Sequence, residues 1–354
     1  MANETAKILN GVSNLVNHCA SVQKGENVLL INERGAMDSS LIDLIEEAII
    51  NAGGRPISLW TEPVNSEEQL QSSGFSEIHA ADKLILNSTF NRVALLNFLT
   101  VNNHASLTRV NNRIRTLEAI ATAHSLFDWR LVMALARKIE EITQTAKTYR
   151  ITTPQGTDIV GRIASASEVA DAFFVQDAEL SRTERVFPGE VYAPVGSADA
   201  RGVIAFDHPG IADRHPFQSP MLLSVTENKL QRINWKEESI RANQRDDSSG
   251  NTIWSKAQLQ SLLDRNVERY GFEDAYQIDS FHGGFHPKAQ RKPGQQSNSD
   301  VMHFHIGRIP ASLSAYISNH SIELDGVPFW QNGSACLLHD PDIKLMAKEY
   351  GENL

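Results

Sequence analysis

The sequence predicts two domains: an α/β N-terminal domain built on a parallel sheet, then an α+β C-terminal domain with a mainly antiparallel sheet. Three observations predict them. At 354 residues the chain is longer than one typical domain. Its first third alternates continuous apolar runs with helix-patterned stretches, as in a parallel sheet flanked by helices. Beyond TYRITTPQGTDI, short strands follow one another across tight turns, as in an antiparallel sheet. The boundary falls near residue 148, giving domains 1–148 and 149–354.

The elements follow in order. NVLLINE (27–33) is an almost unbroken apolar run, which reads as a strand buried on both faces. The next stretch places Leu41, Leu44, Ile45, Ala48, Ile49 and Ala52 on one helix face. Ser40 and Asp43 have the spacing of a capping box, and Gly53-Gly54 stops the helix. RPISLW (55–60), DKLILNST (82–89) and RIRTLEAI (113–120) read as three further strands. A helix near 125–146, striped by Leu131, Val132, Leu135, Ile139 and Ile142, closes the domain. In the second domain Pro154-Gln155-Gly156 reads as a hairpin turn and GVIAFD (202–207) as a strand. PMLLSVTENKLQRINW (220–235) reads as two strands broken at Glu227-Asn228-Lys229. One helix starts at Ser255, with Gln258 completing its capping box, and runs toward Tyr270 with Leu259, Leu262, Leu263 and Val267 inward. NQRDDSSGN (243–251) and KAQRKPGQQSNSD (288–300) read as exposed loops.

Composition excludes some functions. A net charge of −10 and a pI near 5.7 speak against a nucleic-acid partner and against an anionic membrane surface. No apolar run is long enough to span a bilayer, and MANETAKILNGVSNLV lacks the basic start and apolar run of a signal peptide. Two distant cysteines, Cys19 and Cys336, suit buried thiols in a reducing cytoplasm. The turn after the first strand, NERGAMDSS, has a lone Gly35. No G-x-G-x-x-G, P-loop or G-x-S-x-G elbow occurs, which weighs against nucleotide binding and α/β-hydrolase chemistry.

Histidines carry the strongest chemical signal. His282, His286, His303, His305 and His320 fall within 39 residues. His303 and His305 are two apart in MHFHIG, so on a strand they share a face. His282 and His286 flank Gly283-Gly284 in FHGGFHPKA and precede Pro287, which places them on a loop or strand end. That excludes a helical H-E-x-x-H zinc site. Imidazoles are the commonest ligands of zinc and suit iron, and a catalytic site often adds a carboxylate. Glu190 in RVFPGEVYAPVG is the nearest attractive one. His320 and His339 read as a strand-end and a turn residue.

GVSNLVNHCASVQKGENVLLINE, PQGTDIVGRI, FPGEVYAPVGSADARGVIAFD and ELDGVPFWQNG resemble, in this order, the aminopeptidase T (leucyl aminopeptidase-like) metallopeptidase family, which includes iron-dependent 2,5-dihydroxypyridine 5,6-dioxygenases. The resemblance runs nearly the whole chain. It implies the two-domain fold, a homodimer, and metal ligands at five positions. The family glutamate falls on Glu190. The next ligand lies seven residues before a proline, hence at Ser280. The histidine of the family's H-I-A-L-G stretch falls on His303, and its H-x-D pair on Ser312 and Ser314. Three of the five are serine, a poor ligand for iron or zinc. Neither a dinuclear aminopeptidase site nor a copy of the dioxygenase site can therefore be assembled.

The expectation is an enzyme acting on a small aromatic, heterocyclic or peptide-like compound through a relocated mononuclear site. Its metal would be Fe(II) or Zn(II), on Glu190 with His282, His303 and His305. Tyr192, Ser280, Arg308, Ser312 and Ser314 are the candidate substrate contacts. One alternative is metal-free acid–base catalysis by His282, His286 and His303 in the same cleft. A second is a non-catalytic role in binding a ligand or partner.

Overall fold

In the computed structural model of the chain, the residues described are 2–62, 76–87, 107–165, 184–189, 191–207, 219–234, 260–261, 263–265, 267–268, 271, 275–289, 299–307 and 313–354. Strands are numbered along the chain. Apolar runs in the first part form β1 (Asn27–Glu33), β2 (Arg55–Thr61) and β3 (Lys83–Asn87). They are joined by β4 (Thr108–Asn112) and β7 (Glu184–Phe187) in a parallel sheet of order β2-β1-β3-β4-β7. β1 and β3 are buried along almost their whole length, as their unalternating sequences require. Leu29, Ile31, Leu84 and Leu86 pack with Ile78 and Leu107 in one apolar cluster.

Two local readings are corrected. The fourth strand is TRVNN, not RIRTLEAI. Residues Leu117–Ile120 form a helical turn because Thr116 caps it, its Oγ1 accepting from Ala119 N at 3.2 Å. The helix Ser39–Asn51 is capped by Asp38, whose carboxylate accepts from Ser40 N at 3.0 Å, rather than by a Ser40–Asp43 box. The helix Trp129–Thr145 buries Leu131, Val132, Leu135 and Ile139 as its stripe requires. The proposed caps Ser255 and Gln258, and the loop 243–251, lie outside the described residues.

The remaining strands form an antiparallel sheet. They are β5 (Thr148–Thr152), β6 (Asp158–Ile163), β8 (Val195–Phe206), β9 (Met221–Thr226), β10 (Lys229–Asn234), β11 (Ile278–Gly283), β12 (Val301–Ile306), β13 (Leu313–Ser318), β14 (Ser321–Leu324), β15 (Val327–Gln331) and β16 (Ser334–Ala335). Their order is β13-β12-β11-β8-β6-β5-β14-β15-β16, with β9 against β8 and β10 against β9. β9 and β10 meet across Glu227 and Asn228, both at positive φ, the turn that a two-residue hairpin needs. The chain divides into two units: Met1–Met133 with Ala178–Gly189 and Ala347–Asn353, and Ala134–Asp177 with Glu190–Met346 and Leu354. The first unit thus takes in β7, which pairs with β4, and the end of the C-terminal helix. Among the described residues no helix is long and apolar enough to cross a membrane.

Gly202 of β8 pairs with Ile159 of β6. It has φ +134°, and a Cβ there would run into the Asp158 carbonyl. Gly202→Ala is therefore expected to lower stability by at least about 2 kcal/mol, read as an earlier urea midpoint, because strain and collision act together.

His320 and His124 are buried histidines. His320 stacks on Trp330 at 5.9 Å between ring centres, and burial pushes its pKa down to about 3 against a hydrogen bond with the Asp300 backbone. His124, in the first unit, is held down to about 4, again chiefly by burial. Between an unfolded value of about 6.5 and these values, only the unfolded chain binds the proton. Stability is therefore full above that pH and falls as pH drops through this window. Replacing His320 with Phe should shrink the stability lost between pH 7 and pH 4.5 by about 2–3 kcal/mol, measured as urea midpoints at the two pH values.

Candidate metal centre

Strand register builds the site. β11 pairs with β12 so that His282 lies opposite His303 and Ser280 opposite His305. β12 pairs with β13 so that His303 lies opposite Tyr316 and His305 opposite Ser314. Two rows thus cross three strands on one face: Ser280–His305–Ser314 and His282–His303–Tyr316. Residues of the other parity turn away. Phe281 lies 6.0 Å from Phe304 and 4.9 Å from Tyr149, ring centre to ring centre, and forms the apolar backing of the site.

Three imidazoles converge. His282, His303 and His305 each offer a ring nitrogen, and these atoms lie within 4.8 Å of one another. The ring centres are 4.2 Å apart for His282–His303, 4.9 Å for His282–His305 and 4.6 Å for His303–His305. His303 and His305 are buried at 6% and 7% exposure; His282 keeps an exposed edge, but its Nδ1 is buried with no hydrogen-bond partner. Tyr316 packs 4.7 Å from His303 and shares a hydrogen bond with Ser314. Burial holds His282 and His303 well below the ordinary imidazole pKa, with their histidine neighbours adding to it, and burial lowers His305 to about 4. At neutral pH all three rings are neutral, the form that binds metal.

A divalent ion fits this arrangement. His303 Nε2 and His305 Nε2 are 2.8 Å apart. Two nitrogens each about 2.0–2.1 Å from a shared ion would be separated by about 2.9 Å at an octahedral right angle and about 3.3 Å at the tetrahedral angle of zinc, so a small opening of the pair admits either. His282 adds a ring nitrogen within 4.8 Å of the other two donors, and its Nδ1 is buried without a hydrogen-bond partner, which costs free energy unless something occupies it.

A β-bulge shapes the start of β11. The register slips between Ile278 and Ser280, which re-aims Asp279 so that its carboxylate accepts from Ser280 Oγ at 3.0 Å. The slip is clamped by Asn228, which donates through Nδ2 to Ile278 O at 2.7 Å and accepts from Ile278 N at its backbone oxygen at 2.9 Å. Ser280 Oγ lies 3.1 Å from His305 Nδ1.

The other sequence candidates have separate places. His286 is buried just past β11, its Nδ1 accepting from Lys288 N at 3.1 Å, and it is not one of the three converging rings. Tyr192 is buried among Phe329 and Trp330, at 6.5 and 5.6 Å between ring centres. Ser280 and Ser314 do belong to the face, one on each side of His305. Glu190, Arg308 and Ser312 lie outside the described residues, as does most of 288–300. Sequence reasoning missed Tyr316 and Asp279. The period of two from Ser314 pointed to Tyr316; nothing in the sequence marked the bulge that brings in Asp279.

No protein-family model matches the sequence, and no curated protein does. Solved structures do. The chain superposes on 2,5-dihydroxypyridine dioxygenase from Pseudomonas putida KT2440 with a TM-score of 0.64 and 11% identity, over 93% of this chain and 97% of that one. It shares the fold of that dioxygenase. AmpT from Thermus thermophilus is similar with a TM-score of 0.51 and 10% identity, over 94% of this chain and 99% of that one. At such identities the likeness is one of fold, and it agrees with the resemblance read from FPGEVYAPVGSADARGVIAFD and ELDGVPFWQNG. What the site does rests on its own residues.

Proposed function

We propose that the chain is an enzyme acting on a small aromatic, heterocyclic or peptide-like compound at a single divalent metal ion held by His282, His303 and His305. The observation that carries this reading is the convergence of three neutral imidazole donors on one sheet face. Of the histidines in this set, only His303 stands at a position that the family resemblance implies as a ligand. Ser280 and Ser314 flank His305, so the histidine donors lie on β11 and β12 of the same sheet face, beside the serine positions. Glu190 is the carboxylate that this reading adds. Iron(II) in such a set supplies open positions for dioxygen and substrate, as in oxygenative ring cleavage, whereas zinc supplies a Lewis acid for hydrolysis of an amide or cyclic imide.

The chain's own contribution is positional. The Phe281–Phe304 backing keeps water from one side of the face, Tyr316 packs against the His303 ring, and the Ser314 hydroxyl lies beside it for a polar substrate group. Metal content, measured by plasma mass spectrometry on tag-free protein purified anaerobically and reconstituted with iron or zinc, tests the reading. Near-stoichiometric metal supports it and directs the substrate screen, by dioxygen uptake for iron and by hydrolysis for zinc. Metal at background after both reconstitutions overturns it.

One observation favours a second reading, metal-free acid–base catalysis: His303 Nε2 and His305 Nε2 are at hydrogen-bond distance, so one ring can pass a proton to the other. The depressed pKa values make these rings weak bases at neutral pH, which favours the metal.

A further inference from the structure

We infer that Ser280 and Asp279 are positioning residues that hold His305 as its Nδ1–H tautomer, with the Nε2 lone pair presented to His303 and His282. As a metal-tuning device this rests on the metal reading above; as an assignment of the tautomer it stands on the hydrogen bonds alone. Ser280 has one hydroxyl proton, and Ser280 Oγ donates it to Asp279 Oδ2 at 3.0 Å. With its proton given to that carboxylate oxygen, the serine oxygen is left with lone pairs. His305 Nδ1, 3.1 Å from that oxygen, must then carry the proton between them. A neutral imidazole protonated at Nδ1 has its lone pair at Nε2. That Nε2 is the atom 2.8 Å from His303 Nε2.

Ser280 is fully buried and Asp279 nearly so, and both sit at the bulge that Asn228 clamps. The carboxylate–hydroxyl–imidazole sequence therefore does here what a carboxylate hydrogen-bonded directly to a metal-binding histidine does elsewhere: it orients the ring and raises its basicity as a ligand. The serine makes the connection through one extra hydrogen bond. It occupies a position at which the family resemblance implies a ligand, so a residue unable to hold the metal well supports one that can.

Two readouts test this. Long-range proton–nitrogen NMR of the metal-free protein reports which nitrogen of His305 is protonated, and titration with cobalt(II) alone reports affinity and ligand-field absorption. Wild type should show His305 protonated at Nδ1. Ser280→Ala should lose that preference and bind cobalt about 10–100-fold more weakly. Ser280→Thr, which keeps the hydroxyl, should restore both. Asp279→Ala frees the serine proton to turn toward His305 Nδ1, so the ring should switch to protonation at Nε2. A wild-type His305 protonated at Nε2 overturns the inference whatever the metal result. So does a folded Ser280→Ala that keeps both the tautomer and the wild-type cobalt affinity. The expected tautomer pattern in a protein that binds no cobalt, iron or zinc upholds the assignment while overturning the metal reading.

Discussion

Replacing His303 with alanine is expected to abolish stoichiometric metal binding while leaving the chain folded. His303 is the central ring of the cluster, 4.2 Å from His282 and 4.6 Å from His305 between centres, and its Nε2 faces His305 Nε2. Without it the two remaining imidazoles come from different strands and different rows. Disturbing one supporting hydrogen bond typically costs about 10–100-fold in affinity, and losing a ligand should cost more. The smaller side chain leaves a space beside Tyr316 but removes no apolar anchor, so the urea midpoint should move little. Metal content and a denaturation curve on the same preparation check both halves of the expectation. Retention of full metal by a folded His303→Ala would place the ion on other residues.

Phe281→Ala is expected to cost about 3–5 kcal/mol, the usual range for removing a large buried aromatic ring. Phe281 is fully buried, tilted against Tyr149 and Phe304, and lies between Ser280 and His282 in β11. Its loss should also weaken metal binding, because the cavity lets β11 relax and the His282–His303 register depends on that strand. Urea denaturation with and without saturating metal separates the two effects. Bound metal should recover part of the lost stability by mass action.

These outcomes depend on features that differed in how readable they were. β1, β3 and the hairpin at Glu227-Asn228 follow from local pattern, since an unalternating apolar run has only a two-sided burial to satisfy. RIRTLEAI misled because its apolar residues fit either period, and Thr116 capping decided for a helical turn. TRVNN is polar for a central strand, and Arg109 and Asn112 are buried there. Asn112 Nδ2 donates to Asn87 Oδ1, and Asn87 Nδ2 to Asn32 Oδ1, each at 2.8 Å, so the amides satisfy one another across the sheet. Such a ladder joins residues far apart in the chain and has no local signature.

By itself the sequence determined the two kinds of sheet, and that His303 and His305 share a face, because a strand's period of two leaves no other arrangement. It also supplied the donors: neutral imidazoles suit a divalent metal wherever they meet. Only the tertiary structure decided which histidines meet. His282 joins because antiparallel register sets it opposite His303, while His286, four residues on, lies past the end of the strand and turns elsewhere. The same is true of Asp279, which reaches Ser280 through a one-residue slip in pairing. Register is a relation between strands that the order of residues within one strand does not contain.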